Sequence, residues 1–405
     1  MLVKDIGSIF EDLGYEASKA LVMRVASSVR NGRLEVYMPD GSRRTFGGRR
    51  PGPTASLRVH DDAFFTRLVR SGEMGLGESY MDGLWDVDDL TSFLALGIEN
   101  RQYAPSLSKL VNDVTRLPNR RLHLSRRNSK KGSRDNVHAH YDLSNELFEL
   151  FLDPTMTYSS AMFTNEEQSL EDAQRNKYDV LCRKAAIGPG SRVLEIGCGW
   201  GGFAMHAAMN YGARVTATTI SKEQYGLAAR RVAEAGVADR VELRLSDYRD
   251  LAGSFDHIVS IEMFEAVGAE YFETFFKKCD GLLATGGRMV MQTISVPERT
   301  FVALRDGVNW MQKYIFPGGM LPSLAAIDRS IARTRLVISD VEDIAAHYVR
   351  TLQEWRQRFE ERRDDVLALG FDERFVRMWR YYLCAAEAGF ATRSTGDLQI
   401  VFDKT

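Results

Sequence analysis

The chain has 405 residues, more than one compact domain usually holds, and its 44% apolar content with 10% aromatics is ample to bury a core, so two domains are expected. Lys and Arg total 53 against 55 for Asp and Glu, and the resulting net charge of -2 excludes a global attraction to nucleic acid or to an anionic membrane. Any such partner has to be met by a local patch.

From Ile6 to about Val29 apolar residues recur at helical spacing (Ile9, Phe10, Leu13, Leu21, Val25), which predicts a helix. RLEVYMPDGSRRTFGG then reads as a β-hairpin broken at Pro39-Asp40-Gly41. A short strand (Ser56 to His60) and helical segments over 61 to 70 and 91 to 100 complete a small N-terminal α+β domain, residues 1 to 112. Residues 113 to 134 follow as a linker. From Val114 to Arg134 eight basic residues (Arg116, Arg120, Arg121, Arg126, Arg127, Lys130, Lys131, Arg134) stand without an acid. Such a run reads first as a solvated, mobile connection, and a mobile connection can also serve as a patch for anionic lipid headgroups.

After the linker, helical segments over 146 to 152 and 170 to 186 lead into alternating strands and helices. RVLEIG (192 to 197), RVTATTI (214 to 220), VELRLS (241 to 246), HIVSIE (257 to 262) and RMVMQTI (288 to 294) are compact runs rich in Val and Ile. Repeated β-α units imply a parallel sheet covered on both faces. RLVISD (335 to 340) and LQIVFD (398 to 403) add two strands, separated by a helical insertion with Tyr348, Leu352, Trp355 and Phe359 on one face. Seven strands result. The cysteines (Cys182, Cys198, Cys279, Cys384) form no Cys-x-x-Cys pair and no zinc-spaced cluster, no apolar run approaches the ~20 residues of a membrane span, and the opening MLVKDIGSIFEDLG lacks the basic start of a secretory signal. A reduced, cytoplasmic protein without metal is expected, one that associates peripherally with the inner membrane face.

VLEIGCGWGG (193 to 202) is a strand, a glycine-rich turn and a helix start. Gly197, Gly199 and Gly201 let the backbone turn sharply and approach a ligand, with the unpaired amides of the helix N-terminus beyond. NAD enzymes use a similar turn, but Glu195 just before it would repel a pyrophosphate, whereas it can hold the ammonium of a methionine moiety. The E-x-G-x-G-x-G form resembles the first motif of class I methyltransferases, which use S-adenosylmethionine. Asp247 and Tyr248 after the third strand suit an adenine site, and read alone are also an ordinary loop acid beside a rim aromatic. The second strand ends without the usual ribose-binding acid; Thr219, Ser221 and Gln224 stand there instead, Ser221 equally suited to capping a helix.

Further segments carry a closer likeness: AHYDLSNELFELFLDPTMTYSSAMF (139 to 163), TTISKEQ, DYRDL, SIEMFEAVG (260 to 268), KYIFPGGMLPS (313 to 323) and MWRYYLCAAEAGF (378 to 390), with GESYMDGLWD (77 to 86) upstream. Together with the glycine turn they resemble the cyclopropane-fatty-acyl-phospholipid synthase family, including relatives that make methyl- and methylene-branched lipids. The resemblance implies a class I methyltransferase Rossmann-like fold over 135 to 405, a seven-stranded doubly wound α/β sheet with helical lipid-binding insertions. It implies transfer of a methyl or methylene group from S-adenosylmethionine to the double bond of an unsaturated phospholipid acyl chain, giving a branched chain or a cyclopropane. Tyr158, Ser159 and Arg249 join the cofactor residues named above. Glu265, Tyr382, Ser160, Gln292 and Ile294 fall where the family builds its reaction centre around a bicarbonate ion that serves as base.

An alkene is a poor nucleophile, and its attack on a sulfonium methyl leaves a carbocation that must lose a proton. A carboxylate such as Glu265, aromatic faces and a bound anion can stabilise that cation in a site closed to water, with Tyr382 orienting the base. Two residues depart from ring-forming relatives: Ser160 stands for Cys and Gln292 for His, and an amide cannot become cationic to hold an anion. Glu262 places a further acid where the family often has a small residue. These departures favour loss of a different proton and a branched product, with a reductase finishing it; a homodimer is a further expectation, a nucleic-acid partner is not. Two other readings stand beside this one, a small-molecule methyltransferase of the same fold and a non-enzymatic lipid-binding protein.

Overall fold

The computed structural model describes residues 14–103, 144–305 and 307–405; the basic run from 114 to 134 lies outside them. Packing divides the chain into two units, neither continuous in sequence. The first takes Met1–Ser125, Asp306–Ile315 and Arg363–Ser394, the second Arg126–Arg305, Phe316–Arg362 and Thr395–Thr405. Sequence order puts the helix Glu373–Ala391 in the 135 to 405 domain, but by packing it groups with the first unit. The reason is local: its Tyr381 ring lies 4.6 Å from that of Trp310 and 5.8 Å from that of Tyr80, and Arg377 donates to the carbonyl of Trp85 and to Asp86.

In the first unit a four-stranded sheet is ordered β2-β1-β3-β4, from β1 (Asn31–Tyr37), β2 (Arg43–Gly47), β3 (Arg50–Val59) and β4 (Trp85–Val87). The β1-β2 hairpin turns where the sequence suggests, with Asp40 Oδ1 accepting from the Ser42 amide at 2.8 Å. The helix expected over 61 to 70 runs instead over Ala63–Met81. Ser71-Gly72 looks like a stop, and Gly72 does leave helical geometry (φ 55°, ψ -130°), but the helix resumes beyond it. The three-residue β4 escapes a reading based on apolar runs because it is too short to show alternation.

The second unit holds the expected seven strands: β5 (Arg192–Ile196), β6 (Arg214–Thr219), β7 (Val241–Leu245), β8 (Phe255–Ile261), β9 (Leu283–Ser295), β10 (Leu336–Asp343) and β11 (Gly396–Lys404), ordered β10-β11-β9-β8-β5-β6-β7. Strands β5 to β9 are parallel, and β11 runs antiparallel to both β9 and β10. Alternation along the strands sends Val193, Val215, Val259, Val290 and Val401 to one face, against Leu181, Phe203 and Ala207. Leu194, Ile258, Met289 and Phe402 go to the other, against Phe272, Phe275 and Phe276. Both faces are therefore covered, as a near-continuous apolar strand pattern requires. Strand order reverses between β5 and β8, so their carboxyl ends splay apart and open a crevice.

Candidate active site

Strand β5 delivers Glu195 to the floor of that crevice, where the residue is 2% exposed. Its carboxyl accepts from the Ala204 amide in the first turn of the helix Gly202–Tyr211, while Oε2 has no hydrogen-bond partner. Burial pushes its pKa up to about 8 against the opposing charge of Lys177. Gly197 follows at φ 86°, and a Cβ there would press on Met263. Gly199, at φ 50°, faces open space and lines a cavity of about 160 Å³. Gly201 caps the helix in the left-handed region and does not itself line the cavity.

At the end of β6 the Thr219 hydroxyl donates to Gln224 Oε1 at 2.8 Å, and both residues line the cavity. Ser221 is the N-cap of Lys222–Glu234, accepting from the Gln224 amide. After β7, Asp247 is clamped by Arg249 through Nε at 2.8 Å and Nη2 at 2.7 Å, and the Arg249 guanidinium lies over the Tyr248 and Tyr271 rings. Tyr158 and Ser159 reach the cavity from the segment after the helix Asn145–Phe151. Tyr158 is wedged among Phe148, Phe151 and Trp355, and Ser159 is fixed by Gln174, which donates to its carbonyl at 2.9 Å, and by Lys177, whose Nζ donates to its hydroxyl at 2.6 Å. Lys177 is fully buried, and burial holds its ammonium down to about 8.

Beyond the cavity wall lies a cluster of acids. Glu262 lines the cavity from the end of β8 and sits at φ 47°, in the left-handed region that favours glycine. Its side chain has three donors: the Ser160 amide and Gln292 Nε2 on Oε1, both at 2.8 Å, and the Tyr348 hydroxyl on Oε2 at 2.6 Å. Glu265 accepts through Oε1 from the Ile294 amide and from Thr293 Oγ1, and its Oε2 is buried without a partner. Burial, then the neighbouring Glu262 charge, pushes its pKa up to about 8. Gln292 also donates to Asp397 Oδ2 at 3.2 Å and accepts from Gln399 Nε2 at 3.1 Å.

Ten of the eleven proposed cofactor residues thus line one cavity, which Glu262 also lines, with Ser160, Gln292 and Glu265 close to Glu262 outside the lining. Ser160 participates through its backbone amide, since its hydroxyl donates to the Ala161 carbonyl. Tyr382 lies in the first unit, buried edge-on to Trp379. Tyr348, which the sequence places only on an apolar helix face, donates its hydroxyl to Glu262. Lys177, Asp397 and Gln399 were missed as well. For Lys177 a signal existed: Leu170, Ala173, Gln174, Lys177, Tyr178 and Leu181 form one helical stripe, and a lysine on a buried stripe is unusual.

A sheet reversing at β5 and β8, a glycine turn and an orphaned carboxylate at the crevice floor define a class I S-adenosylmethionine-dependent methyltransferase. The family model for mycolic acid cyclopropane synthetase matches residues 128–400, and the chain belongs to that family. It is 43% identical over 355 residues to the tuberculostearic acid methyltransferase UfaA1 of Mycobacterium tuberculosis, covering 83% of this chain and 80% of that one. It is 39% identical over 354 residues to the cyclopropane-fatty-acyl-phospholipid synthase of Escherichia coli, covering 86% and 88%. Among solved structures, mycolic acid cyclopropane synthase CmaA1 complexed with SAH and CTAB aligns with a TM-score of 0.63 at 30% identity, over 67% of this chain and 98% of that one.

Proposed function

We propose that the protein methylates the double bond of an unsaturated fatty acyl chain carried by a membrane phospholipid, and that the resulting cation loses its proton to Glu262, leaving a methyl- or methylene-branched alkene. The observation that carries this reading is the seat of Glu262, a carboxylate on the cavity wall held by the Ser160 amide, Gln292 and Tyr348. The cavity residues fit S-adenosylmethionine: Glu195 offers an unpaired carboxylate oxygen to an ammonium, Gly199 leaves room, and Gln224 and Asp247 offer polar groups. When bound, that cofactor supplies the electrophilic methyl group.

The bicarbonate expected from the family resemblance does not fit, because the Ser160 amide and Gln292 Nε2 already hold a protein carboxylate. Burial raises the proton affinity of Glu262, which suits a base, while its three donors keep it aimed. Tyr158 lines the cavity, backed by the buried Trp355 ring 5.2 Å away, and offers an aromatic ring to a developing positive charge. Among the described residues no helix is long and apolar enough to cross a membrane, and on this reading the acyl chain is taken from the bilayer surface. The basic run from 114 to 134 supports such docking by its charge.

Relatives named as a methyltransferase and as a cyclopropane synthase show both outcomes within the family. Mass spectrometry of lipids from a host lacking such enzymes separates them. A gain of one CH2 per acyl chain is expected, with ozonolysis cleaving the product; a product resistant to ozonolysis is a cyclopropane and overturns the branching reading. A saturated branched chain would then need a reductase acting on this product.

A further inference from the structure

Asp397 is 0% exposed on β11, the central strand of the antiparallel edge, in register with Ile294. Its Oδ2 takes one hydrogen bond, from Gln292 Nε2 at 3.2 Å, and its Oδ1 takes none. No ion pair within 4 Å serves it among the described residues. The same Gln292 nitrogen binds Glu262 Oε1 at 2.8 Å, so two carboxyl groups share one amide donor. A buried carboxylate so poorly served is far less favourable than the neutral acid, and two adjacent carboxylates cannot both ionise without strong repulsion.

We propose that Asp397 is a positioning residue that stays protonated, donates its proton in a hydrogen bond to Glu262, and so fixes Glu262 as the ionised partner of a carboxyl-carboxylate pair. The proposal rests on the reading that Glu262 is the base. In the deprotonation step the C–H bond beside the cation breaks, its electron pair becomes the new C=C bond, and the proton goes to Glu262. The pair passes from one proton to two, and Glu262, partly exposed at the cavity, returns the second to water. The charged and titratable groups around Asp397 agree with this distribution. Glu262 and Glu265 after β8 both disfavour its ionisation, Lys177 on Leu170–Ala185 opposes them, Tyr348 on Ala345–Glu361 donates to Glu262 instead, and Asp343 on β10 stands opposite Leu398, the next residue along. Burial and these two acids hold the Asp397 carboxyl well above the usual range.

The test is the pH dependence of kcat together with infrared spectra of the full chain. In wild type, kcat should rise as the pair loses its first proton and change again at higher pH as the second ionises. Asp397→Asn keeps an uncharged donor, so it should retain the acid inflection, displaced upward, and lose the alkaline one. Asp397→Leu, without a donor, should lower kcat roughly tenfold. At neutral pH the wild-type spectrum should contain, beside the bands of protonated Glu195 and Glu265, a further protonated carboxyl band that is missing from Asp397→Asn. A wild-type pH profile in Asp397→Asn overturns the proposal, as does a wild-type minus Asp397→Asn difference spectrum at neutral pH without a protonated carboxyl band. Full activity in Glu262→Gln would overturn the base reading and the pair with it. An inactive Glu262→Gln beside an unaltered Asp397→Asn profile removes the pair alone.

Discussion

A Cβ at Gly199 would project into open space at the cavity wall, so enlarging that residue fills the cavity before it disturbs the core. Gly199→Val is expected to abolish S-adenosylmethionine binding in calorimetric titration. Its φ of 50° adds strain of about 1–2 kcal/mol to any side chain, and Gly199→Ala, which bears the same strain with less bulk, should bind measurably. Glu195 makes binding pH-dependent. Its pKa of about 8 in the free protein lies above the ordinary carboxylate value of 4.5, and a ligand ammonium favours the ionised form, so binding should release a proton and tighten as pH rises toward 8. Titrations in buffers of different ionisation enthalpy would measure that proton; none released would remove Glu195 from the ammonium site. At the acid cluster, Glu262→Gln should cost more activity than Glu265→Gln, because Glu265 largely keeps its proton near neutrality. Ser160→Cys should be mild, since the residue serves Glu262 through its amide. Gln292→His should shift product toward the cyclopropane, read by gas chromatography of fatty acid methyl esters.

The helix Leu170–Ala185 carries Lys177 into the midst of Glu195, Glu262 and Asp397, whose ionisation its charge favours. Lys177→Met should raise the proton affinity of all three. A carboxyl whose folded pKa is raised contributes stability that is present at low pH and lost as pH rises through that pKa. Thermal unfolding of Lys177→Met should therefore match or exceed wild type in acid, where the lysine is a buried charge without ionised partners, and fall behind as pH approaches 8; parallel curves would deny Lys177 this role. Elements of this kind mark the limit of what one dimension reveals. The strands of the second unit are legible because buried parallel strands read as compact Val and Ile runs, and the glycine turn because few residues other than Gly adopt φ of 50–86°. Tyr348 and Tyr382 are harder to separate, since each lies on an amphipathic helix whose apolar periodicity describes a face without saying what the face meets. Asp397 is hidden for a related reason, one polar position at the mouth of an apolar strand being ordinary until Gln292 is found beside it.

For the molecule as a whole, charge is balanced except in the run from 114 to 134, so any electrostatic attraction to a bilayer should be concentrated there. Replacing Arg120, Arg121, Arg126, Arg127, Lys130 and Lys131 by Gln should weaken sedimentation with anionic vesicles and flatten its dependence on salt; unchanged binding would leave the run as a connection only. The path of the chain has a different consequence. It passes between the two units five times, and β11, which sits between β9 and β10, comes after the last passage. A ribosome must therefore deliver residues up to about 404 before the second sheet can close or Asp397 and Gln399 can meet Gln292, so the second unit cannot be finished until every segment of the first has been made. Completion of the catalytic end of the sheet waits on β11, and the nascent enzyme stays inert until that strand slots between β9 and β10.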